Sequence, residues 1–354
     1  MATQTDIKAS DRLTRAAELL SGPVHLSEPF PGSPPLWIEP ADDILRTDMD
    51  AVTAWMADNH DAIEQALLLF GAIVWRGFPV AGTDEFLALM GDFEPYAAGY
   101  AGGTSNRKAI KGHAMEATRT PPEVSIQLHQ EMSYMPANPR ALAFFCKVAP
   151  DEGGETVICD MRGFLEELPE ELRRKFQEED AEYVRNLRSQ EVDDWRALPE
   201  LRHASWQYWF DSNDRETVSA QLEERGTGYS WNDDGSLTFW NRTPAVTVHP
   251  KTGDTLYFNQ LNSQIQNAAN IGEDRYNLLH QHYGDHTPWP YSVRFGNGDP
   301  VTDEDYRILR ERLEARKIAF AWQPGDVMLL DNKLTAHGRH PYKGDRDVQV
   351  MLFQ

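Results

Sequence analysis

Apolar residues occur along the chain in two patterns, as short continuous runs and at positions three and four residues apart. Gly, Pro, Asn and Asp interrupt both patterns at short intervals. Short apolar runs rich in β-branched and aromatic residues predict buried strands. These predicted strands cover residues 72–76, 124–128, 141–148, 156–159, 228–231, 236–240, 245–249, 255–258, 327–330 and 348–353. Apolar positions three and four residues apart predict helices instead. The predicted helices cover residues 9–20, 61–70, 84–90, 165–179 and 303–318, and Pro169 either interrupts the fourth or starts a second helix there.

Short strands occur in both halves of the chain, with helices between them, and no repeat or clean linker divides it. This pattern predicts an α+β, mainly β fold closed around a double-sheet β core with flanking and inserted helices, and the double-stranded β-helix of the jelly-roll, cupin-like kind is one such architecture. We expect a peripheral arm over residues 1–35 and a single domain over 36–354, with a helical insert at roughly 161–225. The acidic run at 178–182 is expected to be a solvated helix face, and NDDG at 232–235 a hairpin turn.

Composition and charge are those of an ordinary globular protein and narrow the range of partners. The 354 residues are 40% hydrophobic and 25% charged, with a formal net charge of −22. This acidity argues against a nucleic-acid partner, because a phosphate backbone requires clustered Lys and Arg. The two cysteines, Cys146 and Cys159, lie in apolar strand-like runs, so we expect no disulfide and a reducing, cytoplasmic setting. The sequence has neither an apolar signal core nor a run of the roughly 18 apolar residues that a membrane span requires, so we expect no membrane insertion.

The segment SIQLHQEMSY (125–134) places His129 and Glu131 two residues apart. On a strand, residues i and i+2 point to the same face, so an imidazole nitrogen and a carboxylate oxygen could meet one metal ion. The pair alone is a weak signal, because H-x-E arises often by chance.

A second segment, DNKLTAHGRHPYKGDR (331–346), supplies His337 after one apolar strand and Arg346 before the last strand. If these two strands are neighbours, both side chains can face one cavity. A buried guanidinium is a permanent, bidentate partner for a carboxylate, so Arg346 indicates an anionic co-substrate. With His129 and Glu131, His337 would complete a facial triad that leaves three metal positions open, as Fe(II) oxygen chemistry requires. Zinc hydrolases also use two His and one Glu, but in helical H-E-x-x-H patterns that this chain lacks.

Four stretches, in this order, resemble the taurine dioxygenase-type superfamily of oxygenases, and most of all its branch with clavaminate synthase and the syringomycin-pathway amino-acid hydroxylases. The stretches are GAIVWRGFPV (71–80), LHQEMSYMPANPRALAFFCKVAPDEGGETVICD (128–160), PAVTVHPKTGDTLYFNQ (244–260) and PGDVMLLDNKLTAHGRHPYKGDR (324–346). The resemblance implies a non-haem enzyme that uses Fe(II), O₂ and the co-substrate 2-oxoglutarate, and that releases succinate and CO₂.

The resemblance also implies roles for individual positions. It matches the iron ligands at three of them: His129, Glu131 and His337. Arg346 and Thr156 match residues that hold the far carboxylate of 2-oxoglutarate. A tight turn at Gly153 and Gly154 would aim Thr156 inward.

Some positions depart from the pattern of the relatives. Many relatives carry a second basic residue four positions after the co-substrate arginine, where this chain has Val350. Relatives often have Arg-Arg where this chain has Arg346 and Asp347. Arg339 is therefore an alternative candidate for binding the far carboxylate of 2-oxoglutarate. Glu131 argues against halogenation, because related halogenases have a small residue at the carboxylate position.

The branch resemblance favours an amino acid or an amino-acid-derived natural-product intermediate as substrate, free or tethered to a carrier protein. Hydroxylation is the default reaction, and desaturation, cyclisation and epimerisation are alternatives. Residues after the metal pair and in the YFNQ segment are candidates for substrate contact: Met132, Ser133, Tyr134, Asn259 and Gln260. Two other classes stay open, a non-catalytic jelly-roll binding protein and a zinc or manganese cupin-like protein without a keto acid. The sequence does not specify the oligomeric state.

A second group of potential metal ligands lies in HQHYGDH (280–286): His280, His282, Asp285 and His286. The group has no cysteine and lies in an irregular stretch, so we expect these side chains to pack in loops or on the surface. The aromatic run at 206–210 is expected to belong to the core rather than to a pocket.

Overall fold

The computed structural model describes residues 9–97, 107–284 and 287–354. Up to residue 160 the elements are α1 (Ala9–Leu19), β1 (Val24–Ser27), β2 (Leu36–Pro40), α2 (Asp43–Thr47), α3 (Met49–Asp58), α4 (His60–Phe70), β3 (Ala72–Trp75), α5 (Thr83–Leu89), β4 (Ala109–Lys111), β5 (Ala114–Glu116), β6 (Ile126–His129), β7 (Ala141–Val148), β8 (Glu152–Gly153) and β9 (Thr156–Asp160). Beyond residue 160 they are α6 (Glu170–Glu178), β10 (Asp180–Leu187), α7 (Trp206–Phe210), α8 (Arg215–Glu224), β11 (Gly228–Trp231), β12 (Leu237–Pro244), β13 (Val246–Val248), β14 (Thr255–Tyr257), α9 (Leu261–Gln264), α10 (Ala268–Ile271), α11 (Glu273–Tyr283), β15 (Tyr291–Phe295), α12 (Asp303–Arg316), β16 (Val327–Asp331), β17 (Thr335–Arg339), β18 (Tyr342–Lys343) and β19 (Asp347–Phe353). Every predicted strand and helix occurs, with ends shifted by a few residues, and Pro169 precedes the second helix of its segment. None of the helices among the described residues is long and apolar enough to cross a membrane.

Two sheets form the core of the fold. The larger has eight strands in the order β1-β2-β3-β16-β7-β19-β5-β4, and only β2 and β3 pair in parallel. The smaller has three strands in the order β6-β17-β9. Phe144 of β7 contacts the ring of His337 on β17, with ring centroids 5.2 Å apart, so the two sheets face each other. This arrangement confirms the predicted jelly-roll, cupin-like core.

The inner strands β3, β16 and β7 of the large sheet are apolar at nearly every position because both faces of the sheet are covered there. In β16, Val327 and Leu329 face a layer formed by α1, α3, α4 and α5. Met328 and Leu330 face the opposite way, toward the inner cluster that includes Ile158 of the smaller sheet. Side chains alternate between the faces of a strand, so a doubly covered strand reads as a continuous apolar run.

The region after β9 differs from its prediction as a helical insert. It contains α6, α7 and α8, but also β10, an inner strand of a four-stranded sheet in the order β11-β12-β10-β15. The acidic run at 178–182 is not a helix face, because α6 ends at Glu178 and Glu182 lies in β10 with 1% exposure. Arg242 and Arg294 lie directly opposite Glu182 on the two neighbouring strands and bind its carboxylate, which explains how an acid is accommodated there.

The N-terminal segment is more integrated than the predicted arm. Residues 1–8 lie outside the described residues. Ala16 and Leu20 are buried in the core cluster beside the large sheet, and β1 is an edge strand of that sheet. The assignment of 36–354 to a single domain stays a prediction. Cys146 and Cys159 are buried and free, so the two thiols form no disulfide with each other.

Candidate metal centre

The two predicted histidine ligands lie side by side on neighbouring strands. His129 of β6 and His337 of β17 are register partners in an antiparallel pair, and their ring centroids are 4.4 Å apart. Nδ1 of His129 lies 2.8 Å from the carbonyl oxygen of Gln127, so in the neutral ring Nδ1–H donates there and Nε2 keeps its lone pair. Burial, followed by the adjacent His337, lowers the pKa of His129 to about 4, so the ring is neutral at pH 7.

Glu131 completes the group. Its Oε2 lies 3.6 Å from Nε2 of His337, and one potential ligand atom from each of His129, Glu131 and His337 lies within 4.8 Å of the others. Among the described residues this is the only cluster of three or more His, Cys, Asp or Glu side chains with such spacing. Two imidazoles and one carboxylate on one side of an ion leave positions open on the other side, so the donor set fits Fe(II).

Buried amide side chains fix the backbone around Glu131. Oδ1 of Asn332 accepts a hydrogen bond from Glu131 N at 2.7 Å, and Nδ2 of Asn332 donates to Glu131 O at 2.9 Å. The side chain of Gln130 points the other way and donates to Tyr257 O at 2.8 Å. Nε2 of Gln260 donates to the carbonyl of Gln130 at 2.8 Å. These bonds fix the backbone at Glu131, a candidate ligand, before any metal binds.

Close contact between β6 and β17 depends on Gly338. A Cβ added at Gly338 would lie 2.5 Å from the carbonyl oxygen of Ile126 and 3.1 Å from the carbonyl carbon of Gln127. The register of the pair also shifts between His337 and Arg339, so the ladder is irregular at this point. A side chain at position 338 would separate the strands that carry the two imidazoles.

The triad borders a cavity of about 170 Å³ between the two sheets. The cavity is lined by Arg107, Ala117, Thr118, Thr120, Ile126, His129, Phe144, Thr156, His337, Gly338, Arg339 and Arg346. It therefore brings together two of the triad residues and both residues predicted to hold 2-oxoglutarate. The prediction that His337 and Arg346 meet because their strands are neighbours was wrong. The strands meant, β16 and β19, are separated by β7, and His337 lies on β17 of the smaller sheet.

Arg346 and Arg339, the two candidates for binding the far carboxylate of 2-oxoglutarate, differ in their surroundings. Among the described residues, Arg346 makes one hydrogen bond, from Nε to Gly154 O at 3.0 Å, and lines the cavity. Burial, with Arg339 as a second cause, lowers the pKa of Arg346 to about 10, as expected for a desolvated cation beside another cation. Arg339 instead donates to the carbonyls of Thr120, Pro121 and Val124 at 2.6 to 3.0 Å. Arg346 is therefore the better placed of the two to receive a ligand carboxylate.

Thr156 reaches the cavity from the start of β9, as the turn before it predicted. Gly153 and Gly154 both adopt left-handed conformations, with φ of 70° and 72°. A Cβ at Gly153 would lie 2.2 Å from the carbonyl oxygen of Pro341, so this turn requires glycine. The hydroxyl of Thr156 accepts a hydrogen bond from Nε1 of Trp322 at 3.2 Å, which leaves its own hydrogen to donate into the cavity.

Arg107 belongs to the site but was missed in the sequence. Its Nη2 lies 2.7 Å from Oε2 of Glu131, and both side chains are buried. Burial would raise the pKa of Glu131, but Arg107 and the two imidazoles outweigh it and hold that pKa well below its usual range. Arg107 lies in a polar segment, 22 residues before His129, with no motif around it to signal a role.

The five residues predicted to contact substrate do not line this cavity. Met132 and Ser133 are buried, and Met132 adopts a left-handed conformation (φ 54°) directly after Glu131. Tyr134 packs against Tyr183 and borders a second cavity of about 30 Å³. The side chains of Asn259 and Gln260 are engaged by Ala245 O, Leu261 N, Gln130 O and Gln264 Nε2. Both amides stabilise the local fold with these bonds.

The second histidine group does not form a comparable site. His280 and His282 lie in the last turns of α11, where their rings pack near Tyr276 and Trp195 respectively. Neither belongs to a metal-capable cluster among the described residues. Asp285 and His286 lie outside the described residues. In the aromatic run, Trp206 and Phe210 are buried core residues, as expected, whereas Tyr208 is exposed.

A double-stranded β-helix that holds two imidazoles, one carboxylate and a buried arginine around one cavity defines the class of non-haem Fe(II)- and 2-oxoglutarate-dependent dioxygenases. The chain belongs to the family described as taurine catabolism dioxygenase TauD, TfdA family, whose model matches residues 32–352. It is therefore an enzyme of this class, acting on a small molecule with Fe(II), 2-oxoglutarate and O₂, as the sequence predicted.

Two relatives and one solved structure show the extent of the similarity. Dapdiamide synthesis protein DdaC of Enterobacter agglomerans is 27% identical over 294 residues, which cover 83% of this chain and 85% of that protein. A clavaminate synthase-like protein of Arabidopsis thaliana is 28% identical over 333 residues, which cover 92% of this chain and 94% of that protein. The crystal structure of PvcB from Pseudomonas aeruginosa matches with a TM-score of 0.53 and 13% identity, over 94% of this chain and 92% of that one. The last match supports the fold alone.

Proposed function

We propose that this dioxygenase hydroxylates an unactivated C–H bond of an amino acid or an amino-acid-derived natural-product intermediate, free or carrier-bound. In this proposal His129, Glu131 and His337 hold the iron. The observation that carries the metal and co-substrate part of the proposal is one cavity between the two sheets, which receives imidazoles, a desolvated arginine and a threonine hydroxyl. A metal ion at the triad and a dianionic co-substrate beside it would have complementary partners there.

Arg346 and Thr156 are proposed to bind the far carboxylate of 2-oxoglutarate. A guanidinium offers parallel N–H donors that match the two oxygens of a carboxylate. The low polarity around Arg346, which also depresses its pKa, strengthens such a pairing. Fe(II) held at the triad would activate O₂, which is the oxidant: one oxygen atom would enter succinate as 2-oxoglutarate loses CO₂, and the other would enter the hydroxylated substrate.

The remaining residues orient the ligands and limit the access of water. Phe144 packs on the ring of His337 and contributes an apolar wall to the cavity. The backbone carbonyl of Gln127 fixes the tautomer of His129. Because Glu131 occupies the carboxylate position, hydroxylation is favoured over halogenation. Orientation of the reactants and exclusion of water are the contributions that a protein makes to such chemistry.

The substrate class is supported by names of relatives rather than by the cavity. DdaC is named for dapdiamide synthesis, and the plant relative is named as clavaminate synthase-like. These names are consistent with a role in natural-product biosynthesis. At 27 to 28% identity, fold and cofactor chemistry carry over more securely than substrate.

The proposal is tested with full-length protein, Fe(II) and 2-oxoglutarate. Without oxygen, a weak visible charge-transfer band should appear, and His129→Ala and His337→Ala should abolish it. In air, at least one member of an amino-acid panel should stimulate succinate release above background in the wild-type enzyme. His113→Ala, which changes an exposed histidine outside the cavity, is the matched control and should behave as the wild type. A normal band in His337→Ala would remove the proposed triad, and failure of the whole panel would remove the substrate class.

A further inference from the structure

Arg185 of β10 is a buried cation without a carboxylate partner. The residue is 9% exposed, and within the described part of the chain it forms no ion pair. Its Nη1 donates to Val184 O at 3.1 Å, and its Nη2 donates to Oε1 of Gln264, so both acceptors are neutral. Glu182 of the same strand lies on the opposite face, where two other arginines bind it.

The titratable groups that influence the charge of Arg185 are phenols. They belong to Tyr134, Tyr291 and Tyr183, and burial, the largest cause, lowers the pKa of Arg185. Burial also raises the pKa of Tyr183 well above its usual value, so that phenol is neutral. The guanidinium carbon lies 5.2 Å from the ring centroid of Tyr291. An aromatic face and neutral acceptors offset only part of the cost of burying a cation, and a bound anion would offset more.

Arg185 lines the second cavity, whose volume is about 30 Å³. Space of this size holds about two or three water molecules, or one carboxylate group. The described lining contains no Asp or Glu side chain, and Trp209, Phe210 and Phe239 form its apolar walls. Trp209 is 38% exposed, so this wall continues to the protein surface. The cavity therefore combines a charged interior with an aromatic mouth.

A chain of side-chain amides joins Arg185 to the metal centre. Gln264, which accepts from Arg185, donates through Nε2 to Oε1 of Gln260 at 2.8 Å. Gln260 in turn donates to the carbonyl oxygen of Gln130 at 2.8 Å, and Gln130 lies between the candidate ligands of the H-x-E pair. These bonds fix the guanidinium in advance, so it would lose little conformational entropy when it binds an anion.

We infer that the second cavity binds the carboxylate group of a small molecule through Arg185, with an apolar part of that molecule against Trp209. This site is separate from the cavity that is proposed to receive 2-oxoglutarate. The carboxylate belongs either to the organic substrate or to a second molecule, and both sources share the chemistry that Arg185 recognises. Binding at this site requires neither the metal ion nor the proposed substrate class.

The test is a calorimetric titration of full-length protein with phenylacetate and with phenylacetamide, which has the same shape and no charge. Saturating Fe(II) and 2-oxoglutarate, without oxygen, first occupy the metal centre and Arg346. We expect phenylacetate to bind at least about tenfold more tightly than the amide. In Arg185→Gln this ratio should fall below about twofold. Arg174→Gln removes the same charge from the exposed face of α6 and should keep the wild-type ratio.

A second variant tests the site with Arg185 in place. Asn241 lines the same cavity from β12 and accepts a hydrogen bond from the hydroxyl of Thr227 at 2.8 Å, which a carboxylate would also accept. In Asn241→Asp the new carboxylate would compensate Arg185 from within the cavity. Phenylacetate should then bind at least about tenfold more weakly, while resistance to urea stays at or above that of the wild type.

The ratio separates anion binding from a purely structural role of Arg185. Equal affinities for phenylacetate and phenylacetamide in the wild type would overturn the inference. So would a wild-type ratio in either variant, provided that the variant is folded. If Arg185→Gln does not fold, Asn241→Asp decides the question alone.

Competition identifies the source of the carboxylate. Phenylacetate is added to succinate assays in air with the panel member that stimulates turnover. A rise in KM alone would assign the carboxylate to the organic substrate, whereas a change in kcat alone, or no change, would assign it to a second molecule. Both patterns agree with binding at Arg185. If no panel member stimulates turnover, the proposed substrate class fails, and the calorimetric ratio still decides whether Arg185 binds a carboxylate.

Discussion

The side-chain amide of Asn332 holds the backbone of Glu131 on both sides. Its Oδ1 accepts from Glu131 N at 2.7 Å, while Nδ2 donates to Glu131 O at 2.9 Å and to Pro139 O at 2.8 Å. Asn332 is fully buried and directly follows β16 of the large sheet. The large sheet therefore positions a candidate ligand that belongs to the loop after β6 of the smaller sheet.

Replacement of Asn332 by Ala should weaken both the fold and the metal centre. The variant leaves one N–H and two carbonyl groups without partners in a buried region, so we expect the free energy of unfolding to fall by about 2–4 kcal/mol. Metal affinity should fall at least about tenfold, as is usual when a group that supports a ligand is lost. Urea unfolding and calorimetric metal titration measure the two effects. Asn297→Ala, in an exposed turn, is the control, and unchanged metal affinity in Asn332→Ala would refute the positioning role.

A methyl group at position 338 should separate the two imidazoles. In Gly338→Ala the new Cβ would lie 2.5 Å from the carbonyl oxygen of Ile126, which belongs to the backbone and can move only if β6 moves. We expect a loss of about 1–3 kcal/mol in stability and a clear loss of metal affinity. Gly82→Ala is the matched control, because its nearest neighbour is the flexible carboxylate of Glu85 at 3.3 Å. Wild-type metal binding in Gly338→Ala would contradict this account of the close approach.

The part of the site that the sequence predicts well is the part that local geometry determines. His129 and Glu131 could be paired because a strand directs residues i and i+2 to one face. Thr156 could be aimed because two adjacent glycines define a turn. The position of His337 depends instead on the register between β6 and β17, which no local pattern encodes, so its inclusion in the triad relied on an assumed pairing of strands and on the family resemblance. The assumption that β16 and β19 are neighbours failed because strand order is a property of the whole chain.

Residues whose role depends on distant partners were missed for the same reason. Asn332 bonds a residue 201 positions away, and Arg107 pairs with one 24 positions away, so neither has a recognisable neighbourhood in the sequence. Glu182 was assigned to a solvated helix because the local sequence is acidic. The two arginines that stabilise it in a strand lie on other strands of the sheet. Local patterns thus predict elements and individual side-chain directions, while tertiary pairing decides which polar residues are functional.

The stability of the metal-free protein should fall with acidity in part through His203, which lies outside the metal centre. In the neutral ring, Nε2 donates to Asn186 O and Nδ1 accepts from the hydroxyl of Tyr283, both at 2.7 Å. Burial lowers the pKa of His203 to about 4, below the value of about 6.5 for an unfolded histidine. As pH falls, the unfolded chain therefore takes up this proton first. The contribution of His203 to stability is complete above about pH 6.5 and is lost as the pH falls toward 4.

Urea unfolding between about pH 7 and about pH 4.5 measures this effect. We expect the loss of stability over this range to be smaller in His203→Gln than in the wild type, by about 2 kcal/mol. His25→Gln, which removes an exposed imidazole from β1, controls for the loss of a histidine elsewhere. Parallel pH profiles for the wild type and His203→Gln would show that the ring is not held in its neutral form.

Arg346 and Arg339 should respond differently to the same conservative change. Arg346→Lys keeps the charge but removes the planar fork, so we expect the Kd for 2-oxoglutarate to rise at least about tenfold with little change in stability. Arg339→Lys puts one ammonium group in place of a guanidinium whose two terminal nitrogens bind three backbone carbonyls, so we expect unfolding to become easier by about 1–3 kcal/mol while the Kd changes less than about threefold. Anaerobic titration of the visible band and urea unfolding measure both quantities, and each variant is the control for the other. The reverse result would assign the binding of the co-substrate carboxylate to Arg339, because the arginine whose replacement lowers the affinity for 2-oxoglutarate is the one that contacts that carboxylate.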